Sequence, residues 1–258
     1  MILENKVAVI TGGSQGFGKR MAERLVERGA KVVLGDISPK GADVAASLNR
    51  DRKCAVFQIC DVTKSDQLQS LIDLAIAEFG ALDIMVNNAG VVGSNIWDDS
   101  SDKIINLTID VNLRAVINGT RLAVRYWNRT GQSQAAVVNV SSAMAFFPSE
   151  FSPVYGATKA GVVNFTASCS TLAPRIRVNA VAPNYADTQF IDKLRTAKNA
   201  SPLFDNGLIS VDEVVDQMIR CVEDESLAGD VIRLMPNKEP KIHNGRKAVP
   251  MNIQISKL

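Results

Sequence analysis

Short β-branched runs alternate with stretches whose apolar residues recur at spacings of three and four, starting within the first ten residues. Val7–Ile10, Lys31–Leu34, Ala55–Ile59 and Ile84–Val86 read as four strands, followed later by Ala136–Val140, Ile176–Val181 and Asp230–Leu234. Most are continuous apolar runs, as expected of strands buried on both faces of a parallel sheet. Between the first two, Phe17, Met21, Ala22, Leu25 and Val26 follow helical spacing, and Gly29 stands where a C-terminal cap belongs. A second helix is expected to open at Ser38-Pro39 and run towards Leu48. Leu68, Leu71, Ile72, Ala75, Ile76 and Phe79 mark a third, from Ser65 to a stop at Gly80. One long helix is expected over about Asp102–Trp127, another from near Tyr155, and a last one near Val211–Val222. Strands and helices taking turns in this way predict an α/β chain with a seven-stranded, doubly wound parallel sheet and helices on both faces.

Composition supports one large domain, since 258 residues with 46% hydrophobic content can bury a sizeable core. We expect that domain over residues 1–240 and a tail over 241–258, because Pro236 to Pro250 is rich in Pro, Lys and Asn. Lys and Arg number 29 against 27 Asp and Glu, so a net charge of +2 offers no footprint for nucleic acid. No apolar run approaches the ~20 residues of a membrane span, and because Met1 leads straight towards the first strand no secretory leader is expected. Cys54, Cys60, Cys169 and Cys221 form no C-x-x-C pair, and His243 is the single histidine. That leaves no ligand cluster for a transition metal, so no metal is expected, and no partner for a His-based triad. A serine nucleophile is disfavoured too, because neither Ser141 nor Ser142 lies in G-x-S-x-G. The chain ends in Ser256-Lys257-Leu258, the tripeptide read by the peroxisomal import receptor, so we expect peroxisomal localisation.

Chemistry enters with Thr11–Gly18, which joins the first strand to the first helix. Gly12, Gly16 and Gly18 let the backbone turn closely there, and the helix N-terminus behind them suits a pyrophosphate. The spacing differs from G-x-G-x-x-G, but the strand–loop–helix setting is that of a Rossmann-type dinucleotide site. Asp36 ends the second strand 18 residues beyond Gly18, where a carboxylate accepts from an adenosine ribose and repels a 2′-phosphate, which favours NAD.

With these residues in view, the chain resembles the short-chain dehydrogenase/reductase family over nearly its whole length. Thr11-Gly12 with Gly16 and Gly18 is similar to its T-G-x-x-x-G-x-G loop, and Asn87–Gly90 to the motif after its fourth strand. Tyr155-Gly-Ala-Thr-Lys159 resembles its Y-x-x-x-K signature, with Ser142 13 residues earlier and Asn112 matching its helix asparagine. Within the family, the N-terminal half and Asn206–Ile209 look most like the NAD-linked hydroxyprostaglandin dehydrogenases, although Ser152 stands where those have glutamine. The resemblance implies that Ser14, Gln15, Phe17, Ile37, Asp61, Val62, Asn88, Ala89 and Gly90 line the cofactor. It also implies that Pro183–Thr188 corresponds to the P-G-x-x-x-T nicotinamide segment, with Asn184 in place of glycine, Pro183 and Thr188 at the nicotinamide, and Tyr155 and Lys159 serving cofactor and catalysis alike.

Tyr155 and Lys159 stand at i and i+4, so a helix turns both to one face, where an ammonium favours a phenolate. The expected reaction is oxidation of a secondary alcohol. Tyr155 is the acid/base, Ser142 holds the substrate oxygen, and Asn112 positions a water near Lys159 by family analogy. A lid is expected over about 185–208, where Phe190, Ile191, Leu194, Leu203 and Phe204 suit a largely apolar, lipid-derived or isoprenoid substrate. The helices near Asp102–Trp127 and Gly156–Ala173 carry apolar and small residues on more than one face, and since members of the family pair through these helices, the resemblance implies a homodimer or homotetramer. Two other readings stay open: a non-catalytic NAD(H)-binding sensor or scaffold, and an NADPH-linked carbonyl reductase.

Overall fold

The computed structural model describes residues 1–50, 52–92, 102–148, 152–191 and 207–244. Seven parallel strands run in the order β3-β2-β1-β4-β5-β6-β7: β1 (Val7–Thr11), β2 (Lys31–Asp36), β3 (Ala55–Ile59), β4 (Ile84–Asn87), β5 (Ala135–Val140), β6 (Ile176–Pro183) and β7 (Asp230–Leu234). Every residue of β1, β4, β5 and β6 is buried, which accounts for their unbroken apolar runs. Among the described residues the sheet has one strand more than the sequence pattern predicts. Lys241–Asn244 form β8, antiparallel to β7 and at the edge. An edge strand with a single neighbour needs no apolar run, and Lys-Ile-His-Asn has none, so periodicity passes it over. β8 thus adds the first four residues after the expected boundary at 240 to the sheet.

Helices cover both faces. On one, α1 (Gly16–Glu27), α2 (Gly41–Leu48) and α7 (Val211–Glu223) pack Met21, Leu25, Val44, Val214 and Met218 against Ile10, Leu34 and Ile232. On the other, α3 (Ser65–Phe79) and α5 (Ala115–Thr130) pack Leu71, Ile72, Leu122 and Trp127 against Val9, Met85 and Val178. α6 (Pro153–Ser168) lies on that same side, where Val163 meets Ala180 and Ala182. The expected stops hold: Gly29 and Gly80 take positive φ of 85° and 80°, and Gly80 N–H closes onto Ile76 O at 2.9 Å. α2 begins at Gly41 rather than at Pro39. Asp36 takes Ser38 N–H into its own turn at 2.9 Å, and a Cβ at residue 41 would sit 2.2 Å from the Phe57 ring.

The long helix expected over Asp102–Trp127 is interrupted. α4 (Asp102–Ile109) passes into a five-residue π turn, Asp110–Arg114, before α5. Such wide turns re-aim side chains and gather at functional sites, and this one contains Asn112. A buried chain of neutral side chains then ties the two large helices to the sheet. Asn87 on β4 donates to Thr120 Oγ1 of α5 at 3.1 Å and to its register partner Asn139 on β5 at 2.9 Å. Asn139 in turn donates to Thr166 Oγ1 of α6 at 3.1 Å. Among the described residues no helix is long and apolar enough to cross a membrane.

Candidate active site

Strand order reverses between β1 and β4, and doubly wound sheets open a crevice at the carboxyl ends of strands at that point. Here the crevice is a cavity of about 530 Å³ running from Asp61 past the glycine loop to Tyr155. Gly12 holds φ +68° and donates to Gly35 O at 2.7 Å. A Cβ at Gly12 would approach Asn88 Nδ2 to 2.8 Å, and one at Gly18 would meet Gly12 O at 2.1 Å. Only glycine fits either place. The N-terminus of α1 carries neither a side-chain cap at Gln15 nor an acid in its first turn, so its N–H groups are left for an anion. Thr11 Oγ1 accepts from Asn88 N at 3.1 Å and Ala89 N at 3.2 Å. Asn88 Nδ2 donates to Thr11 O at 2.9 Å and Gly12 O at 3.0 Å, so its side chain clamps the loop.

At the far end, Asp36 Oδ2 accepts from Ser14 N at 3.0 Å and Ser14 Oγ at 2.7 Å, which fixes the carboxylate at the mouth of the cavity. Ile37 beside it is 73% exposed, an apolar flank that a planar adenine would cover. Asp61 and Val62 close this end, with Asp61 Oδ1 accepting from Thr63 N and Oγ1 at 2.9 and 2.7 Å. These features fit a nicotinamide dinucleotide: a tight glycine turn, an uncapped helix end and a fixed carboxylate on the cavity.

Ser142, Tyr155 and Lys159 line the opposite end together. Ser142 leaves β5 and caps a short 3₁₀ turn, Ala143–Ala145. Its Oγ accepts from Met144 N at 3.2 Å, and its one proton can go to Pro183 O, 3.4 Å away, or to the Tyr155 oxygen. Pro153 starts α6, two residues before Tyr155. Lys159, one turn further on, donates from Nζ to Val140 O at 2.8 Å and lies 5.6 Å from the Tyr155 ring centroid. Burial drives the Tyr155 phenol up to about 12; the bond to Ser142 opposes that rise, and the nearby Tyr185 phenol adds to it. Burial also draws Lys159 down to about 8. The expected lowering of the phenol by the ammonium is not seen in the protein alone: burial sets the direction, and Lys159 Nζ is turned to the Val140 carbonyl.

Two expected site residues stand behind the cavity rather than on it. Gly18 packs beneath Gly12, and Asn112 is fully buried in the π turn, clasping Val91 N and O at 2.9 and 2.8 Å. A Cβ at Gly90 would lie 3.4 Å from Asn112 Oδ1 and 3.7 Å from Lys159 Nζ, so glycine leaves a gap between amide and ammonium. Gly16, Pro183 and Thr188 face the cavity, with Thr188 Cγ2 3.6 Å from where a Gly16 Cβ would stand. Of the expected lid, Tyr185 and Ile191 line the cavity, whereas residues 192–206, with Leu194, Leu203, Phe204 and Asn206, lie outside the described residues, as does the Phe190 side chain. So do Ser256-Lys257-Leu258. Sequence reasoning missed the apolar wall of Val91, Leu107, Val111 and Met144. The four-residue spacing of Leu107 and Val111 beside Asn112 was the signal available.

A family model described as short chain dehydrogenase matches residues 6–199. The chain is 35% identical over 253 residues to the short chain dehydrogenase helC of Aspergillus fumigatus, covering 92% of this chain and 98% of that one. It is 30% identical over 257 residues to human 15-hydroxyprostaglandin dehydrogenase [NAD(+)], covering 92% and 94%. The crystal structure of a short-chain type dehydrogenase/reductase from Mycobacterium marinum superposes with a TM-score of 0.82 at 27% identity, over 90% of this chain and 94% of the other. With the family model spanning most of the chain and relatives at 30% identity or more covered almost end to end, the chain belongs to the short-chain dehydrogenase family.

Proposed function

We propose that this oxidoreductase uses NAD to oxidise a secondary alcohol, lipid-derived or isoprenoid, to a ketone. The observation that carries the reading is the buried Tyr155 phenol, hydrogen-bonded to Ser142, at the end of a cavity whose wall is Val91, Leu107, Val111, Met144 and Ile191. When bound, NAD⁺ supplies the hydride acceptor and a positive charge. Gly12, Ser14, Gln15, Gly16 and Phe17 would hold its phosphates, Asp36 the adenosine ribose, and Pro183 and Thr188 the nicotinamide end. Ser142 Oγ holds the substrate oxygen, and Tyr155 Oη takes its proton while the carbinol carbon gives up hydride, leaving ketone, NADH and a proton. Lys159, still largely protonated at neutral pH, stabilises the phenolate, and the gap at Gly90 gives a water room to carry the proton towards Asn112. Asp36 supports NAD over NADP through charge repulsion of a 2′-phosphate, in keeping with the cofactor named for the hydroxyprostaglandin relative.

Purified protein given NAD or NADP and a panel of long-chain secondary alcohols and polyols tests this. Ketone forms from the apolar alcohols, with NAD favoured at least about tenfold in kcat/KM, the value of one lost charge contact. Turnover restricted to polyols would exclude the lipid reading, and a preference for NADP would favour the carbonyl reductase.

The terminal Ser256-Lys257-Leu258 supports delivery to peroxisomes through their import receptor. A fluorescent fusion lacking those three residues should stay diffuse. Ile104 and Ile117, 40% and 37% exposed on α4 and α5, support pairing into a homodimer or homotetramer, read from its mass in solution.

A further inference from the structure

The chain's single histidine takes no part in the reaction proposed above, yet it is built into the wall behind Ser142. His243 lies on β8 opposite Val231 of β7, and its half-buried ring stacks on Phe146 with centroids 4.5 Å apart and planes 24° apart. Arg233 pairs with Lys241 two positions along, so its side chain shares that face. Its guanidinium lies over Phe146 at 5.7 Å and Phe147 at 5.4 Å. Phe146 packs beneath against Ala180, Ala182 and Val231, with Val163 of α6 beside it. It also closes the turn that Ser142 opens: Phe146 N donates to Ala143 O at 2.9 Å, and Met144 N to Ser142 Oγ at 3.2 Å. A continuous path of contacts therefore runs from imidazole to Phe146, through one 3₁₀ turn, to the hydroxyl beside Tyr155.

We propose that His243 is a positioning residue: its neutral ring braces Phe146 so that Ser142 stays aligned with Tyr155, and protonation of the ring releases the brace. The C-terminal edge strand thereby becomes part of the active-site scaffold. The charged groups facing the ring are Arg233 from β7 and Lys241 from β8, both positive, while the turn and α6 contribute Phe146, Phe147 and Val163. His243 Nε2 is buried with no hydrogen-bond partner among the described residues. An imidazolium would add a third cation to this stack and a buried N–H with nothing to accept it. Burial first, then Arg233 and Lys241, hold the ring below the usual histidine range.

The proposal rests on the dehydrogenase reading and is tested on the full chain in the ketone-reducing direction with NADH, from pH 5 to 8. Tyr155 stays protonated throughout that window, so an acid limb does not arise from it. Wild-type kcat falls about tenfold per pH unit below a midpoint under the usual ~6.5, and recovers when returned to pH 7.5. His243→Phe, which stacks without titrating, keeps the neutral-pH kcat and loses the acid limb. His243→Ala lowers kcat about ten- to hundredfold at pH 7.5, the effect of a small misalignment, with KM for NADH unchanged. An acid limb that persists in His243→Phe overturns the brace, as does wild-type kcat in His243→Ala. Should the alanine variant fail to fold, the phenylalanine profile decides alone. If the wild type turns over neither ketone nor alcohol, the dehydrogenase reading falls and the brace with it, whereas a failure confined to the variants leaves that reading intact.

Discussion

Tyr155→Phe is expected to lower kcat for alcohol oxidation by about 10²–10⁴-fold, the usual worth of a positioned acid/base, while NADH still binds with near wild-type affinity. The ring fills the same space, and what leaves is the hydroxyl that bonds to Ser142. The pH profile should change with it. A phenol held at about 12 by burial is neutral at pH 7, ready to donate in reduction and slow to accept in oxidation. Reaching the phenolate costs roughly 3 kcal/mol more than for a free tyrosine, which Lys159 and the charge of bound NAD⁺ have to offset. Wild-type oxidation therefore climbs with pH, by up to about tenfold per unit between pH 6 and 8, where Lys159 keeps its charge, and levels off above that. In the variant the climb flattens. Turnover within tenfold of wild type, titrating as before, would remove Tyr155 from the reaction.

Gly18→Ala should cost at least about tenfold in NADH affinity and about 1–3 kcal/mol of stability, the usual range for an overfilled interior. Its new methyl would stand 2.1 Å from Gly12 O and 2.6 Å from Asn88 Nδ2, so the glycine turn would have to part from α1. That movement breaks the two bonds by which Asn88 clamps Thr11 and Gly12, and with them the aim of the N–H groups at the helix end. At roughly 2–4 °C per kcal/mol for a chain of this size, Tm should drop by several degrees. Gly131→Ala is the control. Its φ of +69° disfavours alanine, but nothing lies within 4 Å of the new carbon, so stability falls while NADH binds as before. Wild-type affinity in Gly18→Ala, read by NADH fluorescence, would mean that the loop does not hold the dinucleotide.

The sequence was most legible where one residue type answers one need. Strands buried on both faces announce themselves as unbroken apolar runs, and Gly29 and Gly80 stop their helices because the backbone there turns left-handed. Tyr155, Lys159 and Ser142 could be read because a fixed spacing on a helix or strand end fixes a direction. What periodicity lacks is context from distant chain. Lys241–Asn244 carry no apolar signature, yet pair with β7 because its edge is open. The π turn at Asp110–Arg114 continues a helical pattern without a break, so only the folded structure shows that Asn112 faces Val91. The direction in which Tyr155 is shifted depends on how dry its surroundings are, and that is set by neighbours far away in sequence.

The four-member relay of Thr120, Asn87, Asn139 and Thr166 carries no formal charge anywhere along its length. Added electrolyte has no ions there to shield, and no acid or alkali within the working range alters how many protons those side chains hold. The spacing between the two large helices is thus decoupled from the solvent's ionic composition, and the groups that do titrate do so on a frame that stays put.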